Sequence, residues 1–243
     1  MKLSSIINKS VAAFSASITE NKDVLKYIEY FRYNQLWLAS FDNIVLSLAG
    51  DKKFSEMFVE LLNELYIDTN LVLLYSEYSE EYLLDNDRKI FEYAYDNQSY
   101  EYIWKFSIGV IADQSFLDIE IDNSDLFFIN NLSCSYPITD KEDLLKQILN
   151  REYFNPEPNY YIVKNKIQNF DYSDEMNHID TLKKIVKNYN LSCHDLLSKE
   201  DNKKMIDLIF DYKINDGSHK NIVYSNVGNL CYFYYIGHPV AEI

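Results

Sequence analysis

Residues 100–110 read YEYIWKFSIGV, and the fold inferred from sequence turns on how this run is taken. In steps of two, Tyr100, Tyr102, Trp104, Phe106, Ile108 and Val110 fall on one side, and Ser99, Glu101, Lys105 and Ser107 on the other. That alternation is the signature of a half-buried strand. Upstream, Phe91, Tyr93 and Tyr95 alternate with Glu92 and Asp96, and the turn-prone residues 96–99 separate the two runs, which predicts a hairpin. Downstream, Leu117, Ile119 and Ile121 alternate with Asp118, Glu120 and Asp122; Asn123, Ser124 and Asp125 make a turn, and Leu126 to Asn130 returns. From Lys89 to Asn131 the pattern therefore predicts a four-stranded antiparallel meander with one apolar and one acidic face.

Before the meander the chain reads as helical. Leu3, Ile6, Ile7, Val11, Phe14 and Ile18 form a stripe at helical spacing. Asn21 or Asp23 caps a second helical stretch through Val24, Leu25, Ile28 and Phe31, which continues, with a break near Asn34, to Leu48, where Gly50 stops it. Asp51 opens a third helix with Phe54, Met57, Phe58, Leu61, Leu62 and Leu65 inward, and residues 70–84 fit either a short strand or, preferably, a helix. After the meander, Thr139 and Glu142 form a capping box for a helix, and Pro156 and Pro158 mark a turn or linker. Tyr160 to Ile167 reads as a strand, Asp174 to Tyr189 and Lys199 to Tyr212 as helices, and Ile222 to Ser225 with Leu230 to Ile236 as a terminal hairpin. The expected fold is α+β: a helical N-terminal third, a central antiparallel meander, and C-terminal helices plus a hairpin. Residues 1–243 are expected to form a single domain, with any subdivision falling near 150–158.

Charge is distributed very unevenly. The chain of 243 residues has a net charge of −15, yet residues 77–140 alone hold 14 acids against 3 bases, and no basic residue lies between Lys105 and Lys141. Direct binding of DNA or RNA is disfavoured by that sign, because phosphate contacts dominate such affinity. With 47% apolar and 25% charged residues the chain is globular. The 22 tyrosines accompany abundant Ile, Asn, Lys and Asp, as an AT-rich genome would supply them. Cys134, Cys193 and Cys231 are odd in number and scattered, which suits free thiols in a reducing compartment. No uncharged run is long enough to span a bilayer, and Asn8, Lys9 and Ser10 interrupt any signal-peptide core. A cytoplasmic protein without membrane attachment is the expectation.

The five glycines never fall at the spacing of a phosphate-cradling loop, a dinucleotide fingerprint or a nucleophile elbow. His178, His194, His219 and His238 include no pair one helical turn apart, and the cysteines include no CxxC, so neither a zinc site nor a cofactor is expected. Asp118 and Glu120, with Asp122 beyond them, are the sharpest chemical candidates: alternate carboxylates on a strand face the same way and can share a divalent cation. The competing reading is the solvated face of a hairpin. Cys193-His194-Asp195 superficially resembles a thiol-protease set, but adjacent residues diverge, and Ser192 with Asp195 reads more simply as a helix N-cap.

Acids interleaved with tyrosines suggest a surface for a basic partner, built from Glu92, Tyr93, Tyr95, Glu101, Asp118, Glu120 and Asp122. The leading expectation is thus an acidic, non-enzymatic binding protein of the inhibitor or immunity-protein kind. Its partner would be a toxin or a nucleic-acid-acting enzyme. The alternatives are a metal-dependent nucleotidyl or phosphoryl transfer enzyme using Asp118 and Glu120, and a structural or assembly subunit.

Overall fold

In the computed structural model, which describes residues 1–77, 82–107, 110–112, 117–130, 156–167, 178–196, 222–224 and 233–235, the run around Trp104 is a central strand of a mixed sheet. The elements in chain order are β1 (Ser10–Ile18), α1 (Asn21–Tyr33), α2 (Gln35–Leu38), β2 (Asn43–Gly50), α3 (Lys52–Leu65), β3 (Asn70–Ser76), α4 (Tyr82–Asp96), β4 (Tyr102–Ser107), β5 (Val110–Ala112), β6 (Leu126–Asn130), β7 (Pro156–Lys164), α5 (His178–Tyr189), β8 (Cys193–Asp195), β9 (Ile222–Tyr224) and β10 (Phe233–Tyr235). Seven strands form one sheet in the order β3-β2-β1-β4-β7-β6-β8. All run parallel except β7, which is antiparallel to β4 and to β6. A second, three-stranded sheet has the order β5-β10-β9. Its β9–β10 pair is antiparallel, Phe233 opposite Tyr224, as the terminal hairpin requires.

The expected α+β meander is therefore corrected to an α/β arrangement with helices on both faces of the sheet. One face carries α1, α2 and α3 over Phe14, Leu46, Leu48, Trp104 and Phe106, with Phe14 stacked 5.3 Å from Phe106 and Trp37 4.9 Å from it. The other carries α4 and α5 over Val11, Ala13, Val45, Ile103 and Val163. Trp104 is fully buried, as the even-numbered stripe implied, and its indole N–H donates to Ser10 Oγ at 3.0 Å. The odd positions Ile103 and Lys105 are buried as well. A parallel strand covered on both faces shows no true alternation, and this is why β4 was read as one strand of a half-exposed meander.

The same physics explains the other corrections. Leu3–Lys9 is a 3-10 segment, and the rest of the supposed first helix is β1, buried along almost its whole length. In such a strand every position is apolar or small, so a helical stripe can be drawn through it. Residues 43–50 and 70–76, expected as helix, are β2 and β3. Phe91 to Tyr95, expected as a hairpin strand, belongs to α4, whose Ile90, Phe91 and Ala94 supply the inward face. Ser192 does not cap a helix, since β8 follows it directly, and Pro156 begins β7. Among the expectations that stand are α1, α3, the strand over Leu126–Asn130, a strand through Tyr160, the terminal hairpin and the helix ending at Tyr189. Asp51 caps α3 by accepting from Lys53 N at 2.8 Å and Phe54 N at 3.2 Å. The helices expected over 139–149 and 199–212 lie outside the described residues.

The chain passes outward from β1 through β2 to β3, and α4 then carries it back across the sheet to β4 on the other side of β1. The strand order thus reverses between β1 and β4. Switch points of this kind are where α/β sheets bind ligands, in the crevice outside the carboxyl ends of the strands.

Candidate functional site

Beneath that crevice a continuous polar network ties α4 to the sheet. Lys105 on β4 is only 1% exposed, and its Nζ lies 2.9 Å from Asp87 Oδ1 on α4. Ser15 on β1 donates its hydroxyl to the same oxygen at 2.5 Å. One residue earlier, Asn86 Nδ2 donates to Ala16 O at 3.2 Å, and Asn86 Oδ1 accepts from Ser76 Oγ at 3.0 Å. Lys89 Nζ completes the chain of contacts with Tyr75 O at 2.8 Å and Ser76 Oγ at 2.9 Å, at the very end of β3. Tyr161 on β7 is buried beside this group, and burial first, then the Asp87 carboxylate, hold its phenol well above the ordinary range. Ser47 stands opposite Ser15 in the β1–β2 register, and its hydroxyl is buried without a hydrogen bond.

Buried charges survive only when paired and hydrogen-bonded, and this pair anchors the helix that crosses the switch point. At the same edge Gly50 has φ +120°, and a Cβ there would stand 2.3 Å from Ile18 O, so β1 and β2 end in a contact that only glycine permits. Asp51 N then donates to Ile18 O at 2.7 Å. The N-terminal ends of α1, α3 and α4 all open on this carboxyl edge. Two of them already hold carboxylates of this chain, Glu20 and Asp23 at α1 and Asp51 at α3.

The residues singled out from sequence lie elsewhere. Asp118 and Glu120 sit at the amino edge, where residues 117–121 pair with the chain start: Leu3 N donates to Ile119 O at 3.0 Å and Ile121 N to Met1 O at 2.6 Å. Leu117, Ile119 and Ile121 point inward while Asp118, Glu120 and Asp122 point to solvent, so the alternation was legible although its partner strand was not. Asp118 pairs with Lys2 at 2.8 Å, with both side chains more than half exposed. Asp122 lies 3.0 Å from His194 Nδ1; its carboxyl is held below the ordinary range chiefly by Ser124, with His194 contributing. Glu101 pairs with Lys9 at 2.9 Å, and Glu92 lies 3.9 Å from Arg88 on α4. Tyr93 and Tyr95 are half-buried on α4, not on a strand. These seven residues thus come from a helix, the start of a strand and the chain-start pairing, not from one face of a sheet. The Cys193 thiol is pushed up to about 11 by desolvation and then by Asp125, and so remains protonated near neutrality.

Among the described residues no three His, Cys, Asp or Glu side chains gather closely enough to ligate a metal ion, and no helix is long and apolar enough to cross a membrane. What sequence reasoning missed is the network around Asn86, Asp87, Lys89 and Lys105. A signal was present: a single lysine inside the apolar run Tyr102–Phe106, and Asn86-Asp87 one turn ahead of Ile90 and Phe91 on the inward face of α4.

No protein-family model matches the chain, and no curated protein matches it. Among solved structures, a nucleoside-diphosphate-sugar pyrophosphorylase from Vibrio cholerae RC9 aligns with a TM-score of 0.46 and 9% identity over 76% of this chain and 90% of that one. HddC from Yersinia pseudotuberculosis aligns with a TM-score of 0.43 and 12% identity over 76% and 88%. Mouse xyloside xylosyltransferase 1 aligns with a TM-score of 0.35 and 10% identity over 76% and 78%. At these scores the likenesses carry no argument about activity. The inhibitor and immunity-protein reading is corrected chiefly because its acidic sheet face does not exist: the residues meant to form it belong to different elements.

Proposed function

We propose that the chain is a group-transfer enzyme of the nucleotidyl or phosphoryl class, and that its phosphate-bearing substrate lies at the carboxyl ends of β1 and β4, not at Asp118 and Glu120. The reversal of strand order between these strands carries the reading, because it creates a crevice where α/β sheets bind ligands. Lys89, fixed at the end of β3 by Tyr75 O and Ser76 Oγ, supplies a cation at its rim. The Lys105–Asp87 pair holds α4 in position below, so that the rim is pre-organised before substrate arrives.

Hydrogen–deuterium exchange with nucleoside di- and triphosphates, with and without magnesium, tests this reading. Bound nucleotide is expected to protect amides of residues 18–20, 50–52 and 75–77, and Lys89→Gln is expected to weaken binding by about tenfold. Protection confined to residues 100–102 and 164–166, or no protection with any nucleotide, would overturn it.

A further inference from the structure

At the opposite, amino edge of the sheet lies a cleft of about 390 Å³ lined by Tyr95, Gln98, Tyr100, Glu101, Tyr102, Asn165 and the lysines 164 and 166. Its size falls within the ~300–1,000 Å³ of small-molecule sites. Its position follows from the fold: α4 ends here, β4 begins here, and β7, the one antiparallel strand, ends here. The antiparallel run of β7 is what delivers Lys164 and Lys166 to an edge otherwise made of strand beginnings.

The electrostatics of the cleft depart from those of the rest of the chain. Asp125 Oδ1 accepts from both Lys164 Nζ at 3.2 Å and Lys166 Nζ at 2.8 Å, while its Oδ2 is taken by Ser192 N at 3.2 Å and Ser192 Oγ at 2.8 Å. Two ammonium groups therefore share one carboxylate, while Glu101 is paired with Lys9 and Asp42 acts on Tyr100, so the charges about the cleft are close to balanced in a protein of net charge −15. Lys164 Nζ also donates to Asn123 O at 2.9 Å and Asn123 Oδ1 at 3.3 Å, which with Asp125 uses its three donors, whereas Lys166 Nζ has, among the described residues, the single partner Asp125, and its side chain is 58% exposed to an incoming anion. Asn165 Nδ2 donates to Ala94 O at 2.6 Å and Tyr100 O at 3.1 Å, which fixes its amide, and its Oδ1 is buried with no donor. Tyr100 is pushed up to about 12 by desolvation, then by Tyr93 and the Asp42 carboxylate, so its phenol remains neutral and keeps its proton.

We propose that this cleft is a second ligand site, taking a phosphate monoester that carries a ring, with the phosphate on Lys166 and the ring against Tyr95 and Tyr100. Tyrosine faces accept nucleobases by stacking, and a lysine takes phosphate as a point charge. A nucleoside monophosphate and a sugar phosphate both present this chemistry. Because the cleft is at the other edge from the switch-point crevice, the proposal stands whether or not a nucleotide binds there.

Isothermal titration calorimetry on the full chain, at low salt, with uridine monophosphate, glucose 6-phosphate and inorganic phosphate tests the proposal. At least one ring-bearing ester is expected to bind about tenfold more tightly than inorganic phosphate, and their relative affinity identifies the source. Lys166→Gln is expected to weaken that ester about tenfold, Tyr95→Ala to weaken it without altering the weaker binding of phosphate, and Lys89→Gln, at the other edge, to leave it unchanged. Lys166 and Tyr95 are partly exposed, and circular dichroism of both variants verifies that they fold. No saturable heat from either ester at about 5 mM, equal affinity for all three compounds, or wild-type binding by Lys166→Gln would each overturn the proposal.

Discussion

Replacing Lys105 by Met removes one partner of a buried ion pair and leaves the other in place. The Lys105 and Asp87 side chains are 2% and 5% exposed, and Nζ and Oδ1 are 2.9 Å apart, so Asp87 would keep the Ser15 hydroxyl but lose its counter-charge in a medium that screens poorly. Breaking a buried pair in this way costs about 3–5 kcal/mol. The retained Ser15 donor places the expected loss near the lower end, about 3 kcal/mol. The double variant Lys105→Met/Asp87→Leu removes both charges, and apolar replacement of a buried pair is neutral or stabilising by up to about 4 kcal/mol, so it is expected to recover most of the loss. Urea denaturation of the wild type, both single variants and the double variant closes a thermodynamic cycle. A coupling energy below about 0.5 kcal/mol would refute the reasoning, because additivity of that quality belongs to residues that do not interact. The pH dependence gives an independent reading. In Lys105→Met the desolvated Asp87 carboxyl is expected to favour its protonated form, so the deficit relative to wild type is expected to shrink as pH falls from 7 towards 4.

Two further perturbations test the edges of the sheet. Gly50→Ala forces a Cβ against Ile18 O at a φ of +120°, and is expected to cost at least about 1–3 kcal/mol by thermal or urea unfolding; an unchanged stability would mean that β1 and β2 do not end in this contact. The Asp125 carboxyl is held well below the usual range, first by Lys166, then by Ser192 and Lys164. A depressed folded-state pKa gives stability that is present above the ordinary carboxylate range and lost as pH falls through the folded value. Asp125→Asn is therefore expected to cost about 1–2 kcal/mol at pH 7, and the difference to shrink progressively as pH falls below the ordinary carboxylate range. A deficit that persists undiminished in acid would show that Asp125 acts through packing alone.

Local chemistry was legible wherever a short-range rule acted alone. Asp51 before Lys52–Leu65 announced a capped helix, because the capping contact is made within three residues. Leu117, Ile119 and Ile121 announced an inward face with acids outward, because alternation along an extended chain needs no knowledge of the partner. Trp104 announced the core. What the sequence withheld is the identity of partners. Phe91 to Tyr95 obeys both the two-residue and the helical period, and only packing of Ile90, Phe91 and Ala94 under β1, β2 and β3 decides for helix. β1 and β2, buried on both faces, carry no periodicity to read. Lys105 looked like a solvent-facing residue until tertiary structure placed Asp87, eighteen positions earlier, 2.9 Å from its ammonium group. The order β3-β2-β1-β4 likewise exists only once α4 has crossed the sheet. Composition and local spacing determined which segments are apolar and where charge accumulates. Only the folded chain decided which charges are buried against each other, because the desolvation that gives them meaning is a property of the neighbours that surround them.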